Sequence, residues 1–151
     1  MGTKLRKSIG NNIELEHVAT HTVGVGASTA VSMLFTAATT GTCTTYFEAE
    51  IFSKDAWKGT FSETSANGAS AGTAIISYCK DRTVTASANA VIAHTITYAS
   101  SGTILENLES DSSLPISTRR YVLASGGIYL FYLSSAAAAN SININIHFWE
   151  D

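Results

Sequence analysis

Ser141-Ile142-Asn143-Ile144-Asn145-Ile146-His147-Phe148-Trp149 alternates apolar and polar residues along its length. In an extended chain successive side chains point to opposite faces. Ile142, Ile144, Ile146 and Phe148 therefore share one face, and Asn143, Asn145 and His147 the other. Wound as a helix, the same residues would scatter round the axis, so the stretch reads as a strand. Burying each of those four apolar side chains is worth about 1.5–3 kcal/mol. Just upstream, Ile128-Tyr129-Leu130-Phe131-Tyr132-Leu133 is an unbroken apolar and aromatic run, of strand length and too short for a typical helix. The link at 134–140 predicts that the two runs pair antiparallel, a closing hairpin at the centre of the core.

Working back through the chain, strand-like pieces recur about every ten residues. Residues 13–17 alternate, and residues 29–37 place Val31, Met33 and Phe35 on one face. Residues 46–52 direct Phe47, Ala49 and Ile51 inward and Glu48 and Glu50 outward. Trp57, Gly59 and Phe61 form a short alternating piece, and further strands are expected at 74–80, 90–98, 104–108 and 120–124. Gly/Ser/Thr-rich joints separate them, such as Ser100-Ser101-Gly102 and Ser125-Gly126-Gly127. No window of ten residues carries a helical apolar period. The expectation is an all-β protein: an antiparallel, jelly-roll-like β-sandwich of about 8–10 short strands, with residues 1–10 as a basic arm and 11–151 as a single domain.

Composition narrows the function classes. The net charge is −3 and only 14% of residues are charged, against about 25% in ordinary globular domains. Ser and Thr, 19 of each, and 21 Ala fill the place of the missing charge. Such a surface hydrates weakly and can pack against other protein without stranding charge. Lys4, Arg6 and Lys7 give the arm three of the nine basic residues, leaving six basic against twelve acidic groups in the body. The acidic body disfavours a nucleic-acid partner. No run of 18 apolar residues suggests a membrane span, and no apolar stretch follows the basic arm as a secretory signal would require. Cys43 and Cys79 fall on separate expected strands, read as two buried thiols that pair only if those strands are neighbours in register.

Chemical motifs are sparse. His17 and His21 have the spacing that converges on a metal in a helix, but the segment reads as strand and turn, with no third ligand at a suitable spacing. Gly24 and Gly26 lack the third glycine and helix of a dinucleotide site. Glu48 and Glu50, like Glu14 and Glu16, are spaced as alternation on a solvated strand dictates, although paired carboxylates can cleave glycosides. No serine sits in a nucleophile elbow. No catalytic residue, metal or cofactor is therefore expected. Trp149, beyond the last inward position of the closing strand, is the expected interface residue, and an aromatic platform for a sugar is the alternative use of such residues.

The closing segment, Tyr121-Val122-Leu123-Ala124-Ser125-Gly126-Gly127 followed by the run 128–133, a small-residue loop and Ile142-Asn143-Ile144-Asn145-Ile146, resembles the ending of small β-sandwich virion proteins of tailed phages. That resemblance covers about thirty residues and carries over no catalytic or ligand-binding residue. It implies a capsid decoration (cement) protein or a related tail or fibre component, trimeric, on the virion surface and bound to the major capsid protein. In such an assembly Lys4, Arg6, Lys7 and Trp149 would make the partner contacts. The alternatives are a receptor- or carbohydrate-binding domain of a phage tail or fibre, and a secreted carbohydrate-binding module with a Cys43–Cys79 disulfide.

Overall fold

The computed structural model describes residues 6–9, 12–25, 30–39, 44–64, 72–80, 88–94, 102–111, 113–135, 137 and 140–150. They form β1 (Arg6–Ile9), β2 (Asn12–Val25), β3 (Ala30–Thr36), β4 (Thr45–Ser53), β5 (Trp57–Thr64), β6 (Thr73–Ile75), β7 (Tyr78–Cys79), β8 (Val91–His94), β9 (Thr103–Ser110), β10 (Ile116–Ser117), β11 (Tyr121–Leu123), β12 (Ile128–Ser135) and β13 (Asn140–Glu150). All pairings are antiparallel. Sheet A runs β1-β2-β13-β4-β10, with β7 also on β2 and β11 also on β4. Sheet B runs β6-β8-β3-β12-β5-β9.

The pairs β2·β13, β3·β12, β4·β10/β11 and β5·β9 are nested, each enclosing the next, like a ribbon folded back at the β5–β9 link. Wrapping that ribbon brings β13 beside β4 and β12 beside β5. Numbering only the strands of this ribbon (β1, β6, β7 and β8 lie outside it) and counting β10 and β11 as one interrupted strand, the order is first–eighth–third–sixth in sheet A and second–seventh–fourth–fifth in sheet B, which is the jelly roll. Thr118 holds the interrupted strand together: its N–H donates to the Ala49 carbonyl (2.8 Å) and its Oγ1 accepts from the Ala49 N–H (2.9 Å).

Two expectations need correction. Thirteen strands are found among the described residues rather than 8–10, because pieces as short as β7 and β10 carry no period to read. Residues 74–80 divide between β6 in sheet B and β7 in sheet A, and β10 lies inside a stretch that reads as loop. More importantly, β12 and β13 do not form a hairpin. Each is central in a different sheet, β12 between β3 and β5 and β13 between β2 and β4. The link between them crosses from sheet to sheet, pinned by the buried amide of Asn140. Its Nδ2 donates to Ser135 Oγ (3.0 Å) and the Asp55 carbonyl (3.2 Å), while its Oδ1 accepts from the Asp55 N–H (3.3 Å).

The core lies between the sheets and is aromatic. Phe35, Phe47, Phe61, Phe131 and Phe148 are all fully buried. Phe35 of sheet B meets Phe47 and Phe148 of sheet A edge-on at 4.9 and 5.3 Å between ring centres. Phe61 of sheet B stacks on Phe47 at 5.3 Å. Ile51, Ile142, Ile144 and Ile146 complete the sheet A side, as the alternation in β4 and β13 requires.

Candidate functional site: the outer face of sheet A

The residues that alternate away from the core on β2, β13 and β4 form the outer face of sheet A. Register places Thr20, Asn145 and Glu50 in one row, Val18, His147 and Glu48 in the next, and Glu16, Trp149 and Tyr46 in the last, with Val122 of β11 beyond Tyr46. Its two ends differ in chemistry.

At the β2 end, Glu16 occupies an outward position yet is only 4% exposed. Its carboxylate takes Lys80 Nζ at 3.1 Å on both oxygens and His147 Nδ1 at 2.8 Å on one. A carboxylate so removed from water needs such partners. Lys80 directly follows β7, so this ion pair and the Lys80 N–H to Glu16 carbonyl bond (2.8 Å) fasten β7 to β2. Beside it lies a groove of about 320 Å³ lined by Val18, Thr20, Ile76, Tyr78, Cys79 and Lys80. Ile76 and Tyr78 stand out from its rim, 69% and 58% exposed.

At the β4 end, Arg120 reaches Glu48 with Nε at 3.2 Å and lays its guanidinium over the Trp149 ring, 5.9 Å from the ring centre. Tyr46 is paired across from Trp149, and Val122 is 66% exposed. An aromatic pair, an arginine and an exposed valine form a patch that suits contact with another macromolecule.

Trp149 therefore lies on this face. Lys4 falls outside the described residues, and Arg6 and Lys7 belong to β1, which pairs with the start of β2. Sequence reasoning missed Glu16, Lys80, His147 and Arg120 as a group. Lys80 and Glu16 are 64 positions apart and His147 and Glu16 131, so no spacing signals them.

The other chemical candidates separate in space. His17 and His21 both turn inward, but His17 stacks on Phe148 and His21 on His94, so they do not converge on one point. No group of three or more metal-ligating side chains occurs among the described residues. Cys79 is a free, buried thiol, and Cys43 lies outside the described residues.

A second polar cluster lies near the β5/β9 edge. Tyr121 donates to Glu106 Oε2 at 2.8 Å. Burial first, then the hydrogen bond and charge of Glu106, push the Tyr121 hydroxyl up to about 12, with Arg119 opposing. Burial likewise raises Tyr129, with the Ala124 N–H bond opposing and Glu63 adding. A raised folded-state value means that the stabilising contribution is complete below the ordinary value of 10 and is lost as pH climbs from there to about 12. A phenolate absorbance titration should show Tyr121 and Tyr129 ionising above the ordinary value of 10. Glu106→Gln should bring Tyr121 closer to that value. A single step for all six tyrosines near the ordinary value would refute the assignment.

Comparisons of the chain with protein-family models, curated proteins and solved structures gave no match in any of the three.

Proposed function

We propose that the chain is a non-enzymatic structural protein of a virion: a decoration protein that assembles into trimers, sits on the capsid surface and stabilises the shell through contacts with the major capsid protein. The observation that carries this reading is the patch of Trp149, Tyr46, Arg120 and Val122 on the outer face of sheet A. Trp, Tyr and Arg are the residue types that dominate binding energy at protein interfaces. The jelly roll supports it by analogy of fold alone, since capsid and lectin domains both use it. The basic strand β1 adds an edge whose free backbone groups a neighbouring subunit can pair with. Such a role needs buried area, roughly 1,200 Å² or more per contact, rather than a pocket.

The test is the native mass, followed by rebinding to particles stripped of the protein. A stable trimer that rebinds, and that Trp149→Ala weakens without unfolding, is the expected result. A monomer indifferent to the particles refutes the reading. The groove beside Tyr78, with an exposed ring next to Thr20 and Lys80, favours a second reading as a carbohydrate- or receptor-binding domain of a tail or fibre. A glycan array separates the two, because a decoration protein binds nothing on it.

A further inference from the structure

We infer that copies of the chain join edge to edge: β1 of one copy pairs with the outer edge of β9 in the next. The inference rests on the trimeric reading above and names the contact that holds the copies together.

β1 is placed as an arm. It pairs with β2 from Leu15 back to Asn12, and of those four residues Leu15 alone also pairs with β13. The hairpin made by β1 and the start of β2 therefore runs past the end of the β13 ladder. Among the described residues no further strand lies on the other side of β1. Its outward row of backbone groups is a template for a strand that its own sheet does not supply.

β9 is the complementary edge. Among the described residues it pairs with β5 alone and ends sheet B. The register shift between Phe61 and Ser62 leaves β9 regular from Glu106 onward, where it runs residue for residue against Trp57–Phe61. Glu106 reaches across the seam to accept from the Tyr121 hydroxyl and the Arg119 N–H, which ties that part of the strand to sheet A. Glu109 and Asp111 are exposed.

The two edges do not meet within one copy. β2 lies against β3 and β6, and β10 against β9. β1 is thus at one lateral edge of the sandwich and β9 at the other. A donor edge on one side and an acceptor edge on the opposite side make a head-to-tail contact, the kind that closes rings.

Charge selects this pairing over its alternatives. β1 carries Arg6 and Lys7, whereas residues 103–111 hold Glu106, Glu109 and Asp111 and no basic residue. Glu14, opposite Lys7, and Lys58, opposite Glu109, offset one charge on each side and leave the signs opposed. Two β9 edges laid together would bring both sets of carboxylates onto one seam, and two β1 edges both pairs of cations. Charges on an edge strand turn away a strand of like sign and admit one of opposite sign.

The test is the native mass of the full chain across a range of concentrations, with far-UV circular dichroism to show that each variant keeps the sandwich. Arg6→Glu with Lys7→Glu should raise the concentration at which the trimer dissociates by about tenfold or more, since like charges would then face each other. Glu109→Lys should do the same, and Asp111→Lys is the second variant of that edge. Combining the arm and edge reversals in one chain should restore the parental value, which a structural defect would not. Trimers that ignore both reversals, or that the combination fails to restore, overturn the edge pairing and leave the trimeric reading standing. Reversals that abolish rebinding to stripped particles while the trimer keeps its mass assign β1 to the capsid protein and overturn it too. A parent that is monomeric throughout overturns both. Assemblies that the combination restores but that never bind particles support the pairing and refute the virion reading alone.

Discussion

Replacing Phe61 by alanine should lower the stability of the protein by about 3–5 kcal/mol, the range for deleting a large buried aromatic. Phe61 is fully buried at the point where most of the aromatic core converges. Its ring lies 4.6 Å from Phe131, 5.2 Å from Tyr121, 5.3 Å from Phe47 and 5.9 Å from Tyr129. Four neighbours on three strands cannot all close into the vacated volume without moving backbone, so the cavity penalty adds to the lost transfer energy. A domain of this kind has about 5–15 kcal/mol in total, so the variant should unfold at a much lower urea concentration. Val122→Ala, on the exposed outer face, should stay within about 0.5 kcal/mol of the parent. Equal midpoints for the two variants would show that the aromatic cluster is not the centre of the core.

The second large effect is expected at Gly102, where the chain enters β9. Its φ is +68°, and an added Cβ would run into the carbonyl oxygen of Glu63 and lie 2.7 Å from Thr64 Cα. Both obstacles are backbone atoms of the neighbouring strand β5, so no side-chain rotation relieves them. Gly102→Ala should therefore cost about 2–5 kcal/mol, combining the left-handed backbone with the forced separation of β9 from β5. Gly126 has the same φ of +68°, but among the described residues its added Cβ would meet only a side-chain methyl of Thr39, at 3.2 Å. Gly126→Ala should show little beyond the conformational part, about 1 kcal/mol. The comparison by urea unfolding separates the two causes. If both variants lose the same stability, the contact with β5 contributes nothing.

Much of the outer face could be anticipated one residue at a time, but not as a group. Alternation in residues 141–149 put Trp149 on the side away from the core, and alternation in residues 46–52 put Glu48 there too. That Arg120 joins these two was not legible: the sequence reads it as the first residue of a strand at 120–124, which says nothing of the strand it lies beside, and in the structure it precedes β11. Glu16 shows the limit best. Its position in the alternation reads as solvated, yet Lys80 and His147 close over it. Burial of a polar residue on an outer face depends on what folds across it, and here that is a strand of two residues.

By itself, the sequence determined the all-β class, the absence of any long helical period, and which side chains of β4 and β13 face inward. These follow from a period of two, which is local and survives wherever a strand is placed. Only the tertiary structure decided the partners. Two adjacent apolar runs look like a hairpin, but β12 and β13 each bury more by taking two neighbours in separate sheets. The nested pairing that makes the jelly roll joins residues as far apart as Leu15 and Glu150. Such pairings are chosen by mutual burial and register across the whole chain, and no window of sequence contains that information.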